Sequence, residues 1–400
     1  MRLIFICILL LSAAVVPYPA SAEKAVTIDE LVKMYDIGPC AKCHVDKYEA
    51  WKTSTMGNSV IDTRVLYGMR AFIRLAIDEE KSLKREDLTI CLNCHVPQIK
   101  DATPELVVHI GDLILTAVED KDDAKRESAK KELSKLNINC LVCHNLKAMG
   151  FDVKPGDWVI YGPEDLKYNP HVSIGFSTKK SDLIETSEFC AVCHHCPPDV
   201  PWKECPTLYT TYIDDFVKKG HKETCQDCHM NGEEKVHKFY GPNNLDYLKS
   251  AVDLSLEARP TRYIDIYRDK KIPAVVITIN LKNKAGHVIP SGCAFTPKMK
   301  MYITLKDQND REIFSQQKEF TVGDLHFKSD KQVPMAEWDV TATEHFDLGI
   351  EPDKPYTSTF IIPLDIDTKS VDAEVILKYF YSQDKIFTVE DVSRKVLIEE

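Results

Sequence analysis

The chain has 400 residues, with 62 acidic and 51 basic side chains and a formal net charge of -11. An acid excess of this size argues against nucleic-acid partners and suits either docking to basic proteins or simple solubility. The length predicts two domains beyond any leader, and fourteen cysteines beside thirteen histidines call for a chemical account.

Residues 1–22 read as a secretory leader. Arg2 gives a short basic start, Leu3 to Val16 an apolar run, and Ala20-Ser21-Ala22 a small-residue cleavage site before Glu23. Retention as a membrane anchor is the alternative, but the run is short for a span and ends at Pro17 and Pro19. Cys7 lies inside the apolar run, not just after a cleavage site, so it does not read as a lipidated cysteine. No later stretch is apolar for long enough to cross a bilayer. The mature chain is therefore expected in the periplasm or outside the cell.

Thr27-Ile28-Asp29-Glu30 has the pattern of a capping box before Leu31 and Met34. Cys40-Ala41-Lys42-Cys43-His44 follows, and Val45 to Ser54 places Tyr48 and Trp51 three residues apart, on one helical face. Pro104 to Leu136 has helical spacing, its second half highly charged. Gly162-Pro163 and Asn169-Pro170 mark loops. Beyond about residue 255 the pattern changes to short β-branched or aromatic runs, at Ala274–Ile279, Met299–Leu305, Tyr356–Ile362 and Glu374–Tyr381, with turns at Asn283, Gly286, Pro290 and Gly292. The fold expected is a region of helix and loop with little strand over 23–255, then an immunoglobulin-like β-sandwich over 256–400.

The pentapeptide at 40–44 recurs as Cys91-Leu92-Asn93-Cys94-His95, Cys140-Leu141-Val142-Cys143-His144, Cys190-Ala191-Val192-Cys193-His194 and Cys225-Gln226-Asp227-Cys228-His229. A single Cys-x-x-Cys fits a zinc knuckle or a redox pair. A histidine directly after all five fits c-type haem attachment, with two thioethers to the porphyrin and the next imidazole on the iron. Five covalent haems c are expected, a multihaem cytochrome c, with His44, His95, His144, His194 and His229 as proximal ligands. Of the remaining cysteines, Cys196 and Cys205 could close a small disulfide loop, which would leave Cys293 single; sequence does not fix connectivity.

Distal ligands are less legible. Eight histidines lie outside the motifs. His171 follows a loop Asn-Pro, and His237 trails the last motif by eight residues; both can swing onto an iron. His109 sits in the apolar Val107-Val108-His109-Ile110, where an unbonded imidazole is costly. His195 faces away from the iron of its own motif but could serve a neighbour, and His221, four residues before Cys225, is ambiguous. His287, in the turn Gly286-His287-Val288-Ile289-Pro290, would lock the β region onto a haem if it ligates. His326 and His345 read as ordinary strand or surface residues.

Over residues 38–295 the sequence resembles the exported multihaem cytochromes c related to the nitrifiers' tetrahaem electron carrier and, more distantly, to octahaem hydroxylamine oxidoreductase. The carrying segments are Cys40 to Met56, Gly162-Pro163 through His171 to Cys190, Thr211-Tyr212 through Met230, His237 to Gly241, and Asn280 to Gly292. The resemblance implies closely packed, mostly bis-histidine haems that pass electrons, with His171 and His237 distal. Where many relatives have a distal histidine after Trp-x-x-Ser, this chain has Met56. That residue is a candidate axial ligand, or packs on a porphyrin, or marks an open site.

The function expected is electron relay between redox partners, such as a membrane-bound quinol oxidoreductase or a terminal reductase. An alternative is an oxidoreductase acting on a small nitrogen or sulfur compound at one five-coordinate haem. Pentahaem nitrite reductases have the right haem count, but their active-haem motif usually ends in Lys. Self-association into a conductive filament is a third reading.

Overall fold

The computed structural model describes residues 24–145, 159–195, 207–230, 236–267, 269–290, 298–321, 323–327, 340–346, 349–382 and 385–398. The expected leader, Cys7, Cys196, Cys205 and Cys293 lie outside the described residues.

Helices fill the first part of the chain and antiparallel sheets the rest. Helix α1 (Ile28–Met34) starts at the expected capping box, with the Thr27 hydroxyl accepting from Glu30 N and the Glu30 carboxylate accepting from Thr27 N. Helices α2 (Gly38–Cys43) and α3 (Val45–Lys52) flank His44, and α4 (Thr63–Glu80) is capped by Asp62. Helix α5 (Arg85–His95) carries the second motif. The charged stretch after Pro104 forms two helices, α6 (Pro104–Glu119) and α7 (Asp123–Ser134), because Asp120 and Asp122 cap the break between them.

One apolar core joins these helices. Leu31, Leu92, Ile99, Val107, Ile110, Ile114, Leu133 and Val142 are all fully buried in it. Each such side chain contributes about 1.5–3 kcal/mol by leaving water. Among its described residues the helical region has one short parallel strand pair, β1 (Val159–Gly162) with β2 (Ser177–Lys180), which brackets the loop bearing His171. Helices α8 (Cys140–Asn145), α9 (Ser187–His194), α10 (Leu208–Asp215), α11 (Cys225–His229) and α12 (Leu245–Ser250) complete it.

From Val252 the chain is extended. Strands β3 (Val252–Asp265), β4 (Lys270–Asn283) and β9 (Tyr356–Pro363) form one sheet. Strands β5 (Lys298–Asp307), β6 (Glu312–Phe320), β10 (Ser370–Phe380) and β11 (Ile386–Leu397) form the other, in the order β11-β10-β5-β6. Strands β7 (Gly323–Phe327) and β8 (Val340–Phe346) pair separately.

Period-two burial fixes the register. Val275, Ile277, Ile279 and Leu281 of β4 are buried in one core with Met301, Ile303 and Leu305 of β5 and with Val371, Val375 and Leu377 of β10. The four strand runs expected from sequence fall in β4, β5, β9 and β10. His326 lies on β7 and His345 on β8.

Among the described residues the two regions touch at several places. The Tyr381 hydroxyl donates to the Asp62 carboxylate that caps α4, while the Arg64 guanidinium lies 3.9 Å from the Tyr381 ring centre. On another face Lys219 Nζ reaches Pro352 O at 3.3 Å, and His221 Nε2 lies 2.7 Å from Asp353 Oδ2.

Candidate haem sites

All five Cys-x-x-Cys-His motifs lie on or at the end of a single helical turn: α2 with His44, α5, α8, α9 and α11. At 3.6 residues per turn, the two cysteines three apart and the histidine four after the first share one face. Local capping sets these turns. The Asp36 carboxylate accepts from Gly38 N, the Asn139 side-chain oxygen from Leu141 N and Val142 N, and the Thr224 hydroxyl from Asp227 N.

The histidine rings are oriented by backbone carbonyls. His95 Nδ1 lies 3.2 Å from Ser59 O, His144 Nδ1 2.8 Å from Tyr161 O, and His229 Nδ1 2.7 Å from Tyr240 O. A carbonyl only accepts, so each Nδ1 carries the proton and each Nε2 keeps its lone pair for a metal. His287 does the same toward Val288 O at 2.9 Å, and His171 toward the side-chain oxygen of Asn169 at 3.2 Å. Burial lowers the basicity of His95, His144 and His229. His194 and His287 are pushed down to about 4, again chiefly by burial. His194 is exposed at the surface, whereas the other four are half-buried. All these imidazoles are neutral at pH 7, the state a metal ligand requires.

Three motif histidines face a second imidazole. His44 and His171 have ring centres 6.0 Å apart and planes 12° from parallel. His144 and His237 lie 6.2 Å apart at 23°, and His229 and His287 lie 6.4 Å apart at 7°. A ring centre would sit about 3 Å from a metal bound through Nε2, so a spacing near 6 Å suits two imidazoles that would hold one iron. The residues of each pair therefore fit a haem iron. Among the described residues no second imidazole faces His95 or His194.

The motifs also adjoin one another. The Cys40 thiol lies beside that of Cys140, the Cys94 thiol beside that of Cys193, and the Cys190 thiol beside that of Cys225, close enough to act on one another electrostatically. Cys143 acts electrostatically on Cys190 and Cys193, and burial pushes its own thiol up to about 12. His144 feels His44, and His194 feels His95, His229 and His287. The first motif thus meets the third, the third meets the fourth, and the fourth meets the second and the fifth.

The remaining distal candidates go elsewhere. His109 is exposed on α6 and lines a surface cleft of about 310 Å³ with Asp29, Glu105 and Glu132. No motif residue lines that cleft, because the apolar face of α6 turns its other side inward. His221 stacks on Phe216 at 4.0 Å and bonds to Asp353, which occupies both its face and its Nε2. His195 Nδ1 contacts Thr207 Oγ1 at 3.0 Å and its ring meets Tyr209 edge-on. Met56 begins a single 3-10 turn, half-buried. No described contact sets its sulfur opposite a motif histidine.

Sequence reasoning missed the groups that orient the rings. Ser59, Tyr161, Tyr240 and Val288 act through main-chain carbonyls, which every residue type supplies, so no sequence signal marks them. Ser59 also links motifs, its hydroxyl accepting from Ile138 N and donating to His95 O. Asn283 was read only as a turn residue. Its side chain donates to His287 O and Ile350 O, both at 2.7 Å, and accepts from Ala285 N, which pins the His287 turn.

Residues 39–110 match the family described as cytochrome c554 and c-prime. Over those residues the chain is similar to that cytochrome c family. No curated protein matches. Among solved structures, the C-terminal domain of wzt is 4% identical, with 38% of this chain and 74% of that chain covered and a TM-score of 0.21. A protein from Archaeoglobus fulgidus is 9% identical, with 36% of this chain and 99% of that chain covered and a TM-score of 0.17. Among the described residues, no helix is long and apolar enough to cross a membrane.

Proposed function

We propose that this chain is an exported pentahaem c-type cytochrome of the nitrifier electron-carrier type, relaying electrons between protein partners. The three opposed histidine pairs, 6.0 to 6.4 Å apart, are the observation that carries this reading. When bound, haem c supplies a one-electron iron couple. The chain supplies attachment, axial nitrogen and spacing.

The ten motif cysteines would hold the groups, with His44, His95, His144, His194 and His229 as their motif ligands. His171, His237 and His287 would serve as second ligands at the first, third and fifth. An iron held by two imidazoles would have no position left for a substrate, which suits relay over catalysis. The contacts between motifs support one connected set with the fourth at its junction. The haem-bearing domain is 23–255, and the immunoglobulin-like sandwich of 256–400 both closes the fifth site and holds it against the rest. Redox partners of the quinol oxidoreductase or terminal reductase kind are consistent with the acidic charge.

The second reading, an oxidoreductase for a small nitrogen or sulfur compound, is favoured by His95 and His194, which no described imidazole faces. A haemochrome count beside low-temperature EPR of the oxidised protein separates the two. Five haems with at least three low-spin bis-histidine signals support the proposal. A count other than five, or high-spin iron at any of the three paired sites, overturns it. A stoichiometric high-spin haem at the second or fourth site that binds nitrite or hydroxylamine moves the function to the second reading.

A further inference from the structure

One surface far from the motif histidines has a composition that folding does not explain. Along the inner half of β3, burial alternates strictly, with Val252, Leu254 and Leu256 inside and Asp253, Ser255 and Glu257 outside. That alternation stops past Ala258. The β3–β4 ladder continues to Asp265 opposite Lys270, whereas β9 pairs with β4 only from Ala274 to Leu281. Pro273 O still accepts from Leu364 N, just past β9, so the three residues of β4 before it extend past the sheet, roughly 10 Å at about 3.3 Å per residue.

A two-stranded finger in water should be polar on both faces. This one carries Tyr263, Ile264, Ile266 and Tyr267, which are 43%, 56%, 76% and 94% exposed. A contiguous group of that kind marks an interaction surface. Exposed Arg259, Arg262, Lys270 and Lys271 surround it, against Asp265 and Asp269. The finger is thus locally basic on a chain whose net charge is -11.

We propose that this finger docks on an anionic phospholipid surface. Three observations select lipid over a protein groove. The surface is convex, so it inserts and does not receive. Its tip pairs isoleucine with tyrosine, the residue type that settles at the headgroup boundary. Its flanking cations complement anionic headgroups, while the acidic remainder of the chain is repelled, so contact is confined to the tip and orients the molecule.

The test is cosedimentation of the exported holoprotein with phosphatidylcholine vesicles, with and without phosphatidylglycerol. Wild type is compared with Ile266→Ser/Tyr267→Ser and with Lys270→Glu/Lys271→Glu. Wild type should bind the anionic vesicles, less so as salt rises. Removing the two cations should weaken binding by roughly thirtyfold or more, and removing the apolar tip should abolish it, with the haem spectrum unchanged in both variants. Absence of binding at low salt overturns the proposal, as does equal binding by wild type and variants. Tip-dependent self-association or protein capture without vesicles would assign the finger to a protein partner and equally overturn it.

Discussion

His229, in the last motif, and His287, from the turn after β4, face each other across 6.4 Å with planes 7° from parallel. Among the described residues this opposed pair is drawn from both halves of the chain. Its β-side ring is held twice, by Nδ1 donating to Val288 O and by Asn283 gripping the His287 carbonyl. Gly286 beside it leaves just enough room for Phe216, whose ring a Cβ would meet at 3.3 Å.

Replacing His287 with Ala should therefore turn one haem high-spin and loosen the β region from the helices. EPR and limited proteolysis at the junction read these two effects. Asn283→Ala should show the same in weaker form, since it removes the amide donor shared by the His287 and Ile350 carbonyls, the latter keeping Ile289 N, at about 1–2 kcal/mol in all. An unchanged low-spin count in His287→Ala would remove His287 as a ligand.

His171→Ala and His237→Ala should each convert one haem, and the double variant two, because the pairs are separate. His221→Ala is the control. Its ring is committed to Phe216 and Asp353, so the visible and EPR spectra should not move, and a partly exposed pair of this kind costs only about 0–1 kcal/mol in stability.

Glu119 ties α6 to α4 through Arg74 and Arg70, and those guanidiniums hold its carboxyl below the usual range, Arg74 first. A carboxyl lower in the folded than in the unfolded chain gives stability above its unfolded value, which is lost as pH falls through the folded one. Glu119→Gln should lower the urea midpoint near neutrality and flatten its fall between about pH 5 and pH 3. Parallel acid limbs in variant and wild type would refute this.

Gly57 and Leu305 report on separate cores. A Cβ on Gly57 would lie 2.3 Å from the Trp51 carbonyl oxygen, a backbone atom that has no room to move. Gly57→Ala should cost about 1–3 kcal/mol or more and fall on the first motif. Leu305→Ala, fully buried in the sandwich, should cost about 2–5 kcal/mol. Circular dichroism should show helix signal destabilised by the first variant and strand signal by the second.

The sequence alone determined what is local. Two cysteines and a histidine within five residues can share one helical turn, so the five motifs were legible at 40, 91, 140, 190 and 225. Alternation with period two likewise exposed β4, β5 and β10, and Thr27 with Glu30 the start of α1. The structure alone decided what meets across the chain. His221 looked as well placed as His287, yet Phe216 and Asp353 claim it, while a turn pinned by Asn283 carries His287 to His229. The carbonyls of Ser59, Tyr161 and Tyr240 that aim the rings have no sequence signature, since every residue has one. Ligand pairing depends on distances between segments tens of residues apart, and only the packed cores and strand registers set those.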